Sequence, residues 1–401
     1  MPWMTRLPGG FPLFLEEARG GHFTDVDGRE YVDFCLGDTG AMTGHALPQV
    51  AEAIHHRALN GITTMLPNED AQWVAAELER RFGLPKWQFA MTATDANRFV
   101  LRFARELTGR PKIAVMDWCY HGTVDETLVI RGENGETLSR PGSTGRGFDP
   151  AITTRVVPFN DIEELEKVLV IGDVACLLME PALTNIGIVL PDAGYLERVR
   201  ELCDQYGIVL IFDEVKTGLT AGHQGAAQRL GVQPDLITLA KSIGGGLTLA
   251  AFGGKKKYMD FVTNGKMAHF GTFNGNPLAM AGIRAVDKIC TAETLAAAEA
   301  FNQQALDRIT EIIEEFQLPA HTVGFGVKGC ITWSIAPVRN YRDYKATDFA
   351  VAELSWLWSL NRGIITPPGL DEQWLISLAH GQKEIDILVE DFRSFAVALR
   401  S

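Results

Sequence analysis

The residues most able to do chemistry lie between Ile208 and Gly246, where the run VLIFDEVKTG is followed, after a helix-like stretch, by PDLITLAKSIGGG. Each run reads as a buried strand that ends in a charged residue, Asp213 in the first and Lys241 in the second. An ionised carboxylate directly after four apolar residues is costly unless a cation waits at the strand end. Two readings follow. Asp213 and Lys241 pair with each other at the sheet edge, or they act on a ligand. The flanks of Lys241 favour the second: Ser242 and Gly244-Gly245-Gly246 form a loop that lets a bulky ligand approach the backbone closely. A buried lysine also loses its proton readily and becomes a nucleophile toward carbonyls.

These residues must be carried by a suitable frame, and the periodicity supplies one. Short apolar runs at Lys112 to Met116, Val174 to Met179, Gly207 to Phe212 and Leu236 to Leu239 read as buried strands. Helical patterns at Asp95 to Leu107, Ile162 to Leu169 and Ala193 to Tyr206 alternate with them, which predicts a doubly wound, mostly parallel α/β sheet covered on both faces. Ligands in such sheets gather beyond the carboxyl ends of the strands. Upstream, His22 to Asp33 alternates around Asp27-Gly28 as a hairpin does, and Gln49 to Asn60 and Asp70 to Phe82 are amphipathic helices. After Pro277 a long helical pattern runs to about Phe316, followed by a strand-like stretch from Gly329 to Ile335 and further helices. The expected division is residues 1–40 contributing to a small domain, 41–285 as the large α/β domain, and 286–401 as a smaller α+β domain.

Composition narrows the function classes. Hydrophobic residues make up 46% and charged residues 22% of the 401, ordinary values for a folded protein. Fifty acidic against 37 basic residues give a net charge of −13, the wrong sign for a phosphate-driven nucleic-acid footprint. Six scattered cysteines define neither a zinc knuckle nor a disulfide framework. The opening MPWMTRLPGGFPLF has no basic leader before an apolar stretch, and no apolar run approaches the ~18 residues of a membrane helix. A cytoplasmic protein with no membrane or nucleic-acid partner is expected. His45, His121, His269 and His380 are too dispersed for a metal site, so no metal is expected.

Motifs along nearly the whole chain resemble the class III aminotransferases of the fold type I pyridoxal phosphate (PLP) enzymes: GGHFTDVDGREYVDF, TGHALPQV, CYHG, MEP, FDEVKTG, LAKSIGGG, HFGTFNGNPLAMAG and ISLAHGQKEID. The glutamate-1-semialdehyde aminomutase branch and the β-amino-acid and amine transaminases look most alike. The resemblance implies a PLP-dependent transferase of two domains. It makes Lys241 the residue that condenses with the cofactor aldehyde and Asp213 the carboxylate under the pyridine nitrogen. Lys216 past the turn on a polar stretch, and the solvated run Lys255, Lys256 and Lys257, fit that role less well.

The resemblance also implies the remaining contacts. Thr92, Ala93 and Thr94 supply a helix start for the phosphate, in a segment where the family usually shows Ser-Gly-Thr-Glu-Ala and this chain has Thr-Ala-Thr-Asp-Ala. Without the resemblance that segment is an ordinary capped helix with Thr94 as cap, and alanine at 93 cannot take the positive φ open to glycine. Tyr120 is expected to stack on one ring face and Val215 on the other, with His121 as a cofactor contact. Thr272, in His269-Phe270-Gly271-Thr272-Phe273, is expected to serve the phosphate of a neighbouring subunit, giving a homodimer with composite sites. Glu180 and Asn185 either face the pocket or, for Glu180, form a structural buried carboxylate. Arg6 is the candidate substrate arginine, near a start that lacks the longer helical arm of the family, so entrance residues from that arm are expected to be replaced.

The expected activity is a ping-pong transfer of an amino group from an amine or amino acid to a keto acid or aldehyde. An aminomutase that moves the group within one substrate uses the same residues. A non-catalytic relative is disfavoured by the retained Lys241 and Asp213, and a nicotinamide oxidoreductase by the lack of G-x-G-x-x-G after the first core strand.

Overall fold

Runs of four to six apolar residues are too short for helices, and here they form the centre of the molecule. The computed structural model describes residues 13–367 and 373–400. Its main sheet has seven strands: β1 (Lys86–Ala90), β2 (Lys112–Met116), β3 (Thr154–Val157), β4 (Val174–Met179), β5 (Val209–Asp213), β6 (Leu236–Leu239) and β7 (Ala250–Gly254). Their order across the sheet is β1-β7-β6-β5-β4-β2-β3. Pairings from β6 through β3 are parallel, whereas β7 runs antiparallel to both β6 and β1. Every residue of β4, β5, β6 and β7 is buried, because helices cover both faces.

The helix Ala93–Thr108 lies on this sheet through Ala96, Asn97, Val100, Leu101, Phe103 and Ala104, and stops at Gly109 in the left-handed conformation. Asn97 is the one polar residue of that stripe, and it is fully buried. The long helical pattern after Pro277 divides into two helices, Pro277–Asp287 and Ala292–Glu315. The break has a local cause: Thr291 and Thr294 form a reciprocal capping box, and the buried Arg81 guanidinium donates to the carbonyls of Asp287 and Cys290 at 3.2 and 3.0 Å.

Both ends of the chain meet in a second sheet. Strands Leu15–Arg19, His22–Asp25 and Glu30–Asp33 form an antiparallel meander, and Ile364–Ile365 adds to it parallel to Glu30–Asp33. The turn around Asp27-Gly28 is held by Asp25, whose Oδ1 accepts from the N–H groups of Asp27 and Arg29 at 3.0 and 2.9 Å. A three-stranded sheet of His321–Phe325, Lys328–Thr332 and Trp374–Leu375 completes this part. No helix among the described residues is long and apolar enough to cross a membrane.

Candidate active site

Asp213 closes β5 and is the register partner of Thr238 on β6. Lys241 follows Thr238 by three residues, so adjacent parallel strands deliver both groups to the same carboxyl edge. They do not pair with each other. The reading of a simple edge ion pair is thereby corrected: Asp213 is satisfied from the sheet side, and Lys241 turns to a different carboxylate.

Asp213 is buried, and three groups hold it. Its Oδ1 accepts from the N–H of Val215 at 3.0 Å, and its Oδ2 lies 2.7 Å from His121 Nδ1 and 2.9 Å from Asn97 Nδ2. Asn97 also donates to the His121 carbonyl at 3.1 Å and accepts from the Thr238 hydroxyl at 2.9 Å. This asparagine was missed in the sequence, although a polar residue within an apolar helical stripe is the signal that marks it. Burial opposes charge on His121, but the neighbouring Cys119 sulfur and the Asp213 carboxylate outweigh it and raise its pKa well above the ordinary histidine value. His121 is therefore an orienting partner of Asp213.

Lys241 sits at φ 51° and opens a single 3₁₀ turn through Gly244. Its Nζ pairs with Asp38 Oδ2. Asp38 belongs to a run of four residues in left-handed backbone, Leu36, Gly37, Asp38 and Thr39, with φ of 49°, 61°, 53° and 80°. For non-glycine residues that conformation costs roughly 1–2 kcal/mol each. It is held by Asp33, whose Oδ1 accepts from the N–H groups of Cys35 and Leu36 at 2.8 and 2.7 Å while Oδ2 meets His45 at 2.8 Å. Burial works to raise the Asp38 pKa, but the ammonium groups of Lys216, Lys241 and Lys328 outweigh it and hold it well below the usual carboxylate range. Lys216 thus differs from its reading as a residue of a polar stretch. It is buried, donates to the Thr184 carbonyl at 3.0 Å and stands 3.6 Å from Asp38 Oδ1. Lys255, read as part of a solvated run, pairs with the buried Asp235 at 2.7 Å.

The helix start beyond β1 is capped by Thr92 and not by Thr94: the Thr92 hydroxyl accepts from the Asp95 N–H at 3.2 Å. Ala93 is the first helical residue and has no positive φ, so this chain does not need glycine there. Thr94 is turned to the neighbouring loop, where its hydroxyl accepts from the Thr123 N–H at 3.1 Å. Gly122 has φ 82°, and a Cβ there would stand 2.3 Å from that hydroxyl, so glycine permits both the turn and the close approach. Tyr120 is 45% exposed beside the buried His121. Trp118 fixes the loop by stacking on Tyr341 with ring centroids 4.5 Å apart.

Glu180 follows β4 and is consumed locally. Its oxygens accept from the Thr184 N–H and hydroxyl and from Asn185 Nδ2, the last at 2.7 Å. Burial pushes its pKa up despite the Thr184 hydrogen bonds. This geometry favours the structural reading of Glu180, which pins Asn185 in its turn. Thr272 is exposed on a separate turn, next to a cavity of about 410 Å³ lined by Met65, Leu66, Trp87, Phe89 and Asn276. Arg6 lies outside the described residues. Among the described residues no group of three or more His, Cys, Asp or Glu side chains is placed to hold a metal.

Comparison with known proteins places this arrangement. A model of the family described as aminotransferase class-III matches residues 5–330. The glutamate-1-semialdehyde 2,1-aminomutase of Methanocella arvoryzae is 34% identical over 396 residues, spanning 97% of this chain and 93% of that protein. The crystal structure of a glutamate-1-semialdehyde aminomutase from Pseudomonas aeruginosa superposes with a TM-score of 0.95 at 37% identity, covering 100% of this chain and 90% of that one. An omega-transaminase from Sphaerobacter thermophilus gives a TM-score of 0.94 at 30% identity, with 99% and 93% covered.

Proposed function

The chain belongs to the class-III aminotransferase family, and from that premise we propose that it is a PLP-dependent aminotransferase working by a ping-pong mechanism. The amino group passes from an amine or amino acid to a keto acid or aldehyde. The observation that carries this reading is the pairing of β5 and β6, which brings the anchored Asp213 carboxylate and the strand-end Lys241 to one edge.

The residues present fit the cofactor. The Ala93 and Thr94 N–H groups precede the first intrahelical bond of Ala93–Thr108 and suit a phosphate, with Thr92 beside them, whose hydroxyl here donates to Asp95 Oδ2 at 2.8 Å and would turn from it to reach the phosphate. Gly122 lets Thr94 pack closely against the loop that carries Tyr120 and His121. The buried His121 Nε2 and Ser242 hydroxyl have no protein hydrogen-bond partner among the described residues, which leaves polar capacity at the site. Tyr120 and Val215 are assigned to the two ring faces, with His121 and Asn97 behind Asp213.

Bound here, PLP supplies an aldehyde that condenses with amines and a ring that withdraws electrons from the neighbouring carbon. Asp213 would hold a proton on the ring nitrogen, which would strengthen that withdrawal. Lys241 Nζ is the nucleophile toward the aldehyde. Once displaced by the donor amine, it would be the group that holds and moves the proton of the donor Cα. The second half-reaction reverses these roles with the carbonyl acceptor.

A homodimer with composite sites belongs to the same reading. Leu59, Ile62, Met65, Leu66, Phe270 and Phe273 are exposed apolar residues, five of them within a few positions of the lining of the Thr272 cavity. Such an apolar surface suits a second copy of the chain, whose phosphate Thr272 then reaches. We place the protein in the cytoplasm, in keeping with six buried cysteines that form no disulfide.

The second reading is an aminomutase that moves the amino group within one substrate, favoured by the names of the relatives above. The test is to trap the cofactor by borohydride, locate the adduct, and assay a panel of amine donors with pyruvate and 2-oxoglutarate. An adduct on Lys241 and net keto product establish the aminotransferase. An adduct on another lysine overturns the assignment, and isomerisation without net keto product selects the aminomutase.

A further inference from the structure

Lys241 does not meet solvent alone: its ammonium is paired with Asp38. The loop bearing Asp38 is rigid, because Asp33 clamps the backbone of Cys35 and Leu36, and Phe34, Leu36 and Met42 are fully buried. On its other side the carboxylate faces two buried cations from different elements. Lys216 follows β5, with Nζ 3.6 Å from Asp38 Oδ1, and Lys328 opens the strand Lys328–Thr332. Neither cation is loose. Lys216 donates to the Thr184 carbonyl at 3.0 Å, and Lys328 donates to Gln373 at 3.3 Å, which in turn donates to Thr184 and Gly187. Glu180, beyond Thr184, is the further acid within electrostatic reach of Lys216.

We propose that Asp38 is a positioning residue for Lys241, a fixed anion that recaptures its ammonium whenever the side chain is free of a bound carbonyl compound. The proposal rests on the reading of Lys241 as the nucleophile. Three features of the pair have physical consequences. First, the left-handed backbone aims a short carboxylate at Lys241 without a flexible stem, so the pair forms with little loss of side-chain freedom. Second, Lys216 and Lys328 keep Asp38 ionised across the working pH range, so the anion is always present. Third, the same two cations compete with Lys241 for Asp38. Asp38 and Lys216 therefore act on Lys241 in opposite senses: removing the anion frees the amine, and removing the cation tightens the pair.

The test uses the full chain freed of carbonyl compounds with hydroxylamine. A pulse of formaldehyde and cyanoborohydride at about pH 8 methylates free amines, and peptide mass spectrometry reads Lys241 against the exposed Lys167. Asp38→Asn preserves volume, and asparagine accepts left-handed backbone as aspartate does. With the paired anion gone the Lys241 amine is released to the reagent, so Lys241 in this variant should label at least about tenfold faster than in the parent. Lys216→Met should label Lys241 at least about twofold more slowly. A purely structural role for Asp38 moves both variants in the same direction or neither, and either result overturns the proposal. If Asp38→Asn does not fold, Lys216→Met decides alone: unchanged or faster labelling overturns the proposal. A chain that labels as expected but takes no PLP on Lys241 refutes the functional reading and leaves the ion-pair result standing.

Discussion

Replacing Asn97 by leucine removes three buried hydrogen bonds at nearly constant volume. Asp213 loses one of its two side-chain donors, the His121 carbonyl loses its side-chain donor, and the Thr238 hydroxyl is left without its acceptor in a fully buried position. Taking about 2 kcal/mol for the carboxylate contact and about 1 kcal/mol for each neutral partner, the cost is about 4 kcal/mol. Thr238→Val strands only the Asn97 carbonyl oxygen and should cost about 1 kcal/mol. In the double variant no Thr238 hydroxyl remains to be orphaned and no Asn97 oxygen remains to be stranded, so the total should be about 3 kcal/mol and not the sum of about 5. Urea unfolding of the cofactor-free chain, followed by tryptophan fluorescence, measures all three against the parent. A double variant equal to the sum within about 0.5 kcal/mol shows that the two side chains are not coupled and refutes the network. A single Asn97→Leu cost below about 1 kcal/mol would do the same for the proposed anchoring of Asp213.

Asp213→Asn should fold and bind PLP yet lose activity by about two orders of magnitude or more, because the ring nitrogen loses the anion that keeps it protonated; near-normal turnover removes Asp213 from its role. The His121 pKa is raised in the folded state, so the stabilisation it contributes is complete below its unfolded value of about 6.5 and is lost as pH rises through the folded value. The stability gap between the parent and His121→Gln should therefore narrow from pH 6 toward alkaline pH, and a gap that widens contradicts the His121–Asp213 ion pair. Mixing Lys241→Ala with Thr272→Ala subunits under exchange should restore activity above both parents, since one site of the heterodimer is then intact; no rescue places Thr272 in its own subunit's site or outside the site.

Much of the frame was readable from order and period alone. β2, β4 and β6 coincide with the apolar runs at Lys112–Met116, Val174–Met179 and Leu236–Leu239, because strands buried on both faces leave uninterrupted apolar signatures. The charged residues that end such runs, Asp213 and Lys241, stand out for the same reason. β7 was not readable in this way. Apart from Phe252 its residues are alanine and glycine, which carry weak strand propensity, and it forms because it pairs between β6 and β1, where the Trp87 and Leu236 side chains fill the space a Cβ would take at Gly253 and Gly254.

What the sequence by itself determined is therefore the class of frame and the pair of groups exposed at its edge, since both depend on local hydrophobic pattern. What only the tertiary structure decided is whom those groups meet. Asp38 lies 203 residues from Lys241, and Asn97 lies 116 from Asp213. Lys216, read in the sequence as lying past the turn on a polar stretch, is buried because Asp38 and the Thr184 carbonyl receive its charge. Partnership between charges is set by distance in space, where Coulomb attraction and desolvation act, and no local pattern along the chain encodes the fold that closes those distances.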